Sequence, residues 1–273
     1  DLATIAWRAE HWRPDRILYI VDHRQSQHFQ QVFATARSGG CRAAKQLAAM
    51  ELVHIAFGTV LGEDGKPFKT RAGDTVGLEA LLDEGVERAA AIVGEGEHAR
   101  QGMDESQRKA VAEAVGIGAI KYADLSQNRT TDYVFSFDKM LELKGNTAAY
   151  MQYAVARVEG IAGRGGIDRE ALRQQVAADP TAVELIDPRE RRLALNVLRL
   201  AAVLEDVESD YRPNVLTAWL FELAGSFSSF YDALPVLKAE GRQRTTRLAL
   251  ADLTGRTLRQ GLELLGIRVP KQM

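Results

Sequence analysis

The sequence predicts an α/β unit followed by an all-helical bundle. Three observations carry this expectation. Two short apolar runs, residues 17–21 and 52–57, flank a helix-like stretch; a loop rich in glycine and cations follows the second run; and Leu-rich helical periodicity dominates from residue 78 to the end.

Residues 1–12 read as a helix with Asp1 near its amino end, where a carboxylate can cap free amides and favours the helix dipole. Pro14 breaks it. The run 17–21, Ile-Leu-Tyr-Ile-Val, is continuously apolar, as in a strand buried in a parallel sheet. A polar knot follows, from Asp22 to His28. Phe29, Val32, Phe33 and Ala36 then repeat at helical spacing, so 27–38 is expected to be a helix ending at Gly39-Gly40. A short helix within 42–50 and a strand at 52–57 complete a strand–helix–strand crossover, which places the knot and the following loop at one sheet edge. His28, at a helix start, suits either contact with a phosphate or capping of its own helix; His54, inside an apolar strand, reads as a core histidine with its hydrogen bond satisfied.

The loop 62–74 carries Lys66, Lys69 and Arg71 among three glycines and Pro67. At the carboxyl end of a sheet such cations could grip a phosphate chain, and a loop that closes could stabilise charge developing on a leaving group. The same residues also describe a solvated turn. The spacing Gly62-x-x-Gly65-Lys66 is too short for a Walker A loop.

In the second half, Asp104-x-x-Gln107 has the form of a capping box, with Gly116-Ile117-Gly118 interrupting the helix it opens. Residues 124–144 read as a connector, 146–161 as the start of a bundle, and 163–166 as a flexible glycine loop. Asp187-Pro188 and Pro213 mark helix starts, and the last helix is expected over 247–265. Tyr150 and Tyr153 on one helix face, and Tyr231 on another, are either core fillers or platforms for unstacked bases.

At 46% hydrophobic and 26% charged, the composition is that of a globular chain, with no apolar run long enough to cross a bilayer, so no membrane partner is expected and the cytoplasm is the default. A net charge of −2 argues against nonspecific coating of nucleic acid while permitting local basic patches. The single cysteine, Cys41, excludes an intrachain disulfide and a Cys-based zinc site and reads as a small buried residue; no metal site is expected.

These motifs, in this order, resemble arginyl-tRNA synthetase. Tyr19-x-x-Asp22-x-Arg24-Gln25-x-x-His28-Phe29, His54-x-x-Phe57-Gly58-x-x-Leu61-Gly62 and Lys66-x-Phe68-Lys69-Thr70-Arg71 are similar to the later half of its catalytic domain. Asn146-Thr147-Ala148-x-Tyr150-x-Gln152-Tyr153-Ala154-x-Ala156-Arg157 and the closing segment are similar to its anticodon-binding domain. The resemblance implies a partial Rossmann-type catalytic domain over residues 1–103, a connector over 104–145 and a helical anticodon-binding domain over 146–273. It also implies ATP, Mg2+ with ATP, L-arginine and an arginine tRNA as reactants and partners.

By the resemblance, Lys66-Pro67-Phe68-Lys69-Thr70 is the Lys-Met-Ser-Lys-Ser element, differing at its second and third positions, and Lys66 and Lys69 stabilise pyrophosphate. Asp1 and Gln25 bind arginine; His28, Phe57, Gly58 and Val60 belong to the ATP site; Tyr153, Tyr231, Met273, Asn146 and Gln152 face the anticodon. The family's His-x-Gly-His sequence is absent. The chain therefore resembles the carboxyl-terminal portion of the enzyme and is expected not to form the adenylate alone.

Overall fold

The computed structural model describes residues 1–38, 44–62, 64–66, 77–95 and 103–270. Lys69, Met273 and Cys41, named above, lie outside the described residues. The chain divides into two compact units, Asp1–Phe68 with Asn128–Val134, and Lys69–Gln127 with Phe135–Met273.

In the first unit, α1 (Leu2–His11), β1 (Arg16–Asp22), a 3-10 turn (His23–Gln25), α2 (Ser26–Arg37), α3 (Ala44–Leu47) and β2 (Glu51–Phe57) follow in order. β1 and β2 pair in parallel from Arg16↔Glu51 to Asp22↔Phe57, so both strands end side by side. Ile17 and Leu52 point into a core with Ile5, Ala9, Phe29 and Phe33, while the opposite face leaves Leu18 43% and Ile20 68% exposed. The continuous apolar run anticipates a strand covered on both faces; the described residues cover one. A second parallel pair joins β3 (Val60–Leu61) to β4 (Tyr133–Val134), so part of the expected connector is a strand of this unit.

The second unit contains α4 (Leu78–Glu95), α5 (Glu105–Leu125), α6 (Phe137–Met140), α7 (Ala148–Gly165), α8 (Arg169–Ala178), α9 (Pro188–Leu198), α10 (Leu200–Asp210), α11 (Pro213–Ala233) and α12 (Gly241–Leu264). Its core joins the stripe Leu216, Leu220, Leu223, Phe227 and Phe230 of α11 to Leu193 of α9, Met151 of α7 and Leu258 and Leu262 of α12. Fully burying each such side chain contributes roughly 1.5–3 kcal/mol, which no isolated helix could recover from water. Among the described residues no helix is long and apolar enough to cross a membrane.

Two glycine readings need correction. Gly116 does not interrupt α5: a Cβ there would lie 2.5 Å from the Gly85 carbonyl oxygen, so the bare backbone lets α4 and α5 touch. The glycines expected as a loop at 163–166 continue α7 to Gly165, and Gly166, at φ 57°, is its left-handed cap.

Candidate functional site

The first candidate site lies at the paired ends of β1 and β2. Asp22 Oδ1 accepts from the Arg24 backbone N–H at 2.8 Å, opening the 3-10 turn, and Arg24 Nε and Nη2 donate to its two oxygens at 2.9 and 2.7 Å. These bonds hold the Asp22 carboxyl well below the usual carboxylate range. His23 Nδ1 donates to the Phe57 carbonyl at 3.2 Å and so ties the turn to the end of β2.

The turn delivers Gln25, exposed, to the residue before α2. In the first turn of α2, His28 Nε2 donates to Asp1 Oδ2 at 2.7 Å. This corrects both sequence expectations of capping: the Asp1 side chain makes no bond to the α1 amides, and the His28 ring serves Asp1. His54 is a satisfied histidine as expected, donating from Nε2 to the Val21 carbonyl at 3.0 Å and stacking on Phe29 at 4.8 Å.

Beyond β2, residues 128–134 grip the chain. Arg129 Nη1 donates to the Ala56 carbonyl at 2.7 Å, the Gly58 N–H donates to the Arg129 carbonyl at 2.7 Å, and the Thr59 N–H donates to Asp132 Oδ1 at 2.6 Å. A Cβ on Gly58 would lie 2.6 Å from the Thr131 carbonyl group, so only glycine fits. Phe57 is 41% exposed, and Val60 pairs with Tyr133. The Gly58 amide is thus already engaged within the chain. Sequence reasoning missed this strap; its one signal is the short β-prone run Tyr133-Val134-Phe135.

Lys66 stands on a tight turn. The Gly62 N–H donates to the Lys66 carbonyl at 2.8 Å, the Gly65 N–H donates to the Gly62 carbonyl at 2.9 Å, and Gly65 takes φ 71°. The side chain of Lys66 is exposed.

A second candidate site lies on α7 and α11. Tyr153 is 43% exposed, and Arg157 follows one turn later on the same face of α7. The Arg157 guanidinium lies 4.3 Å from the centre of the Tyr231 ring and donates to Asp232 Oδ1 at 3.1 Å. Arg164 Nη2 donates to the Tyr231 hydroxyl at 3.3 Å. The half-buried Tyr150 meets Phe221 edge-on at 6.0 Å, with its hydroxyl 3.2 Å from Ser228 Oγ.

Two further expected anticodon residues differ in their exposure. Gln152 is fully buried, donating from Nε2 to the Ala114 and Arg268 carbonyls at 3.0 and 2.7 Å, and so fastens α7 to α5 and to the segment after α12. Asn146 is exposed, but its Oδ1 lies 2.7 Å from the hydroxyl of buried Tyr122. Burial pushes that tyrosine up. Arg157, which closes the motif that begins at Asn146 but was given no role there, joins Tyr231, four residues beyond Tyr153 on α7.

Comparison with known proteins places these sites in a family. The family described as tRNA synthetases class I (R), catalytic domain, matches residues 1–137, and the DALR anticodon binding domain matches residues 151–273. An arginine–tRNA ligase of Synechococcus sp. is 51% identical over 274 residues, covering 100% of this chain and 45% of the relative. One of Frankia casuarinae is 47% identical over 273 residues, with 100% and 44% covered. The arginyl-tRNA synthetase structure from Plasmodium falciparum superposes with a TM-score of 0.81 at 25% identity, over 100% of this chain and 44% of that one. That from Thermus thermophilus gives 0.75 at 29% identity, over 95% and 41%. The chain thus spans less than half the length of these relatives. It belongs to the arginyl-tRNA synthetase family of class I, with a catalytic-domain segment followed by a DALR anticodon-binding domain.

Proposed function

We propose that the chain serves an arginine–tRNA ligase. In that reaction a carboxylate oxygen of arginine attacks the α-phosphorus of ATP and expels pyrophosphate. A hydroxyl of the terminal tRNA ribose then attacks the arginyl carbonyl and releases AMP.

Within this reading the Asp1 carboxylate and the Gln25 amide oxygen accept from the cationic groups of arginine. The His28 bond restrains Asp1 for that role. Phe57, Gly58 and Val60 flank the adenine, with Gly58 contributing shape because its N–H is held by Arg129. Lys66, together with Lys69, stabilises the departing pyrophosphate. Mg2+ would accompany the nucleotide as part of the ATP substrate. Residues 1–103 supply catalytic groups, 104–145 connect, and 146–273 bind the anticodon through Tyr153, Tyr231, Met273 and Asn146.

The observation that carries the reading is the exposed Tyr153 beside the Arg157–Tyr231 stack, on the part of the chain that matches an anticodon-binding domain. A second reading is a noncatalytic tRNA-binding module that would use the helical unit, the part that matches the anticodon-binding domain. The test is to measure arginine-tRNA binding and arginine-dependent ATP–pyrophosphate exchange on the purified chain. Binding without exchange is expected of the 273 residues alone. Absence of tRNA binding would overturn both readings.

A further inference from the structure

Beside the Tyr153 surface, a groove of about 290 Å³ opens between α7, α9 and α11. Its volume lies at the small end of ligand clefts, near 300 Å³ and above. One wall is aromatic, formed by Tyr150 and the 39% exposed Phe221. At its edge, Arg192 is exposed and makes no hydrogen bond or ion pair with any described residue. The other charges there are answered: Arg189 is held by Asp187 at 2.8 Å, and Glu222 by Arg199 at 2.8 Å. The groove therefore offers a ring-stacking wall and one uncompensated positive charge.

That combination suits a nucleotide, whose base needs an aromatic surface and whose phosphate needs a cation. An acidic peptide would satisfy Arg192 and leave the aromatic wall unused. Tyr150 lies one helical turn before Tyr153 on α7, so the groove continues the surface proposed for the anticodon.

We propose that this groove takes a second unstacked nucleotide of the same RNA loop, with its base on the Tyr150–Phe221 wall and its phosphate beside Arg192. This rests on the anticodon reading and adds a subsite to it. Gly225, which lines the groove, supplies the decisive variant: a Cβ there would meet nothing within 4 Å, so a larger side chain fills the groove without disturbing the core. Replacing a glycine inside α11 also favours the helix.

The experiment measures the affinity of the full chain for a fluorescent RNA hairpin carrying the anticodon arm of an arginine tRNA, at several salt concentrations. Gly225→Leu is expected to raise Kd about fivefold or more, the loss of one stacked base. Arg192→Ala, which removes a side chain without partners and leaves the fold intact, is expected to lower the salt slope by about 0.7. If both variants bind within about twofold of the unmodified chain while Tyr153→Ala weakens binding, the groove proposal fails and the anticodon reading stands. If the unmodified chain does not bind the hairpin, both fail together.

Discussion

The guanidinium of Arg157 stacks on Tyr231 at 4.3 Å, and Asp232, the next residue on α11, fixes it there at 3.1 Å. Tyr153, one turn away on α7, is 43% exposed. Tyr153→Ala is therefore expected to weaken arginine-tRNA binding roughly five- to 150-fold, the equivalent of about 1–3 kcal/mol for one stacked base. Its folding stability should change by no more than about 0.5 kcal/mol. Tyr231→Ala should lose both, because its ring also packs on Phe227 at 5.9 Å. Parallel titrations and thermal melts separate the two effects.

Gly58→Ala should loosen the strap 128–134. Its Cβ would lie 2.6 Å from the backbone of Thr131, where no flexible side chain can give way, so a cost of about 1–3 kcal/mol is expected from the overpacking. Hydrogen exchange followed by mass spectrometry should show faster exchange in peptides covering 56–60 and 128–134, with α7 unchanged. Unchanged protection at both peptides would mean that the close approach does not fix the strap.

Glu190 is fully buried at the start of α9. Its Oε1 accepts from Arg247 Nε at 2.9 Å and its Oε2 from the Ile186 and Asp187 amides at 3.0 Å each. Glu190→Gln keeps the shape, removes the charge that Arg247 faces, and turns one acceptor into a donor. The helical unit should lose about 1–3 kcal/mol, read as a lower urea midpoint with an unchanged slope.

Asp252 gives the helical unit an acid-sensitive anchor. Arg173 Nε and Nη2 donate to its two oxygens at 2.9 and 3.0 Å, and Arg256 Nε donates at 3.1 Å. Burial pushes the carboxyl up, but the Arg173 bonds and the charges of Arg173, Arg256 and Arg169 outweigh it and leave the group below its ordinary value of 3.8. A depressed carboxyl contributes stability that is complete above its unfolded value and is lost as pH falls through the lower folded one. Melting temperature should therefore drop below about pH 4, and Asp252→Asn should lower it at neutral pH and flatten that acid slope. The arginines are partly exposed, so the neutral-pH loss is expected near about 1 kcal/mol.

Local chemistry was legible at the starts of α5 and α9, though not at Asp1, whose side chain makes no cap. Asp104 and Gln107 form the capping box that their spacing implies, opening α5 at Glu105, and Asp187-Pro188 starts α9 with Glu190 closing a second box. The α2 expectation differs from the observed helix by one residue at each end, since Phe29, Phe33 and Ala36 all reach the core. What stayed hidden depends on partners distant in sequence. Gly116 reads as a break until Gly85 is seen against it, and Gln152 reads as an RNA contact until Ala114 and Arg268 are found accepting from it. The strap at Asn128–Val134 returns across some seventy residues to β3, a pairing that a two-residue strand cannot announce.

The most direct measurement is chemical probing of an arginine tRNA, nucleotide by nucleotide, with and without the chain. Protection confined to the anticodon loop is expected, and Tyr153→Ala should remove it. No protection there, or protection that survives both Tyr153→Ala and Tyr231→Ala, would contradict an anticodon-reading role for this surface.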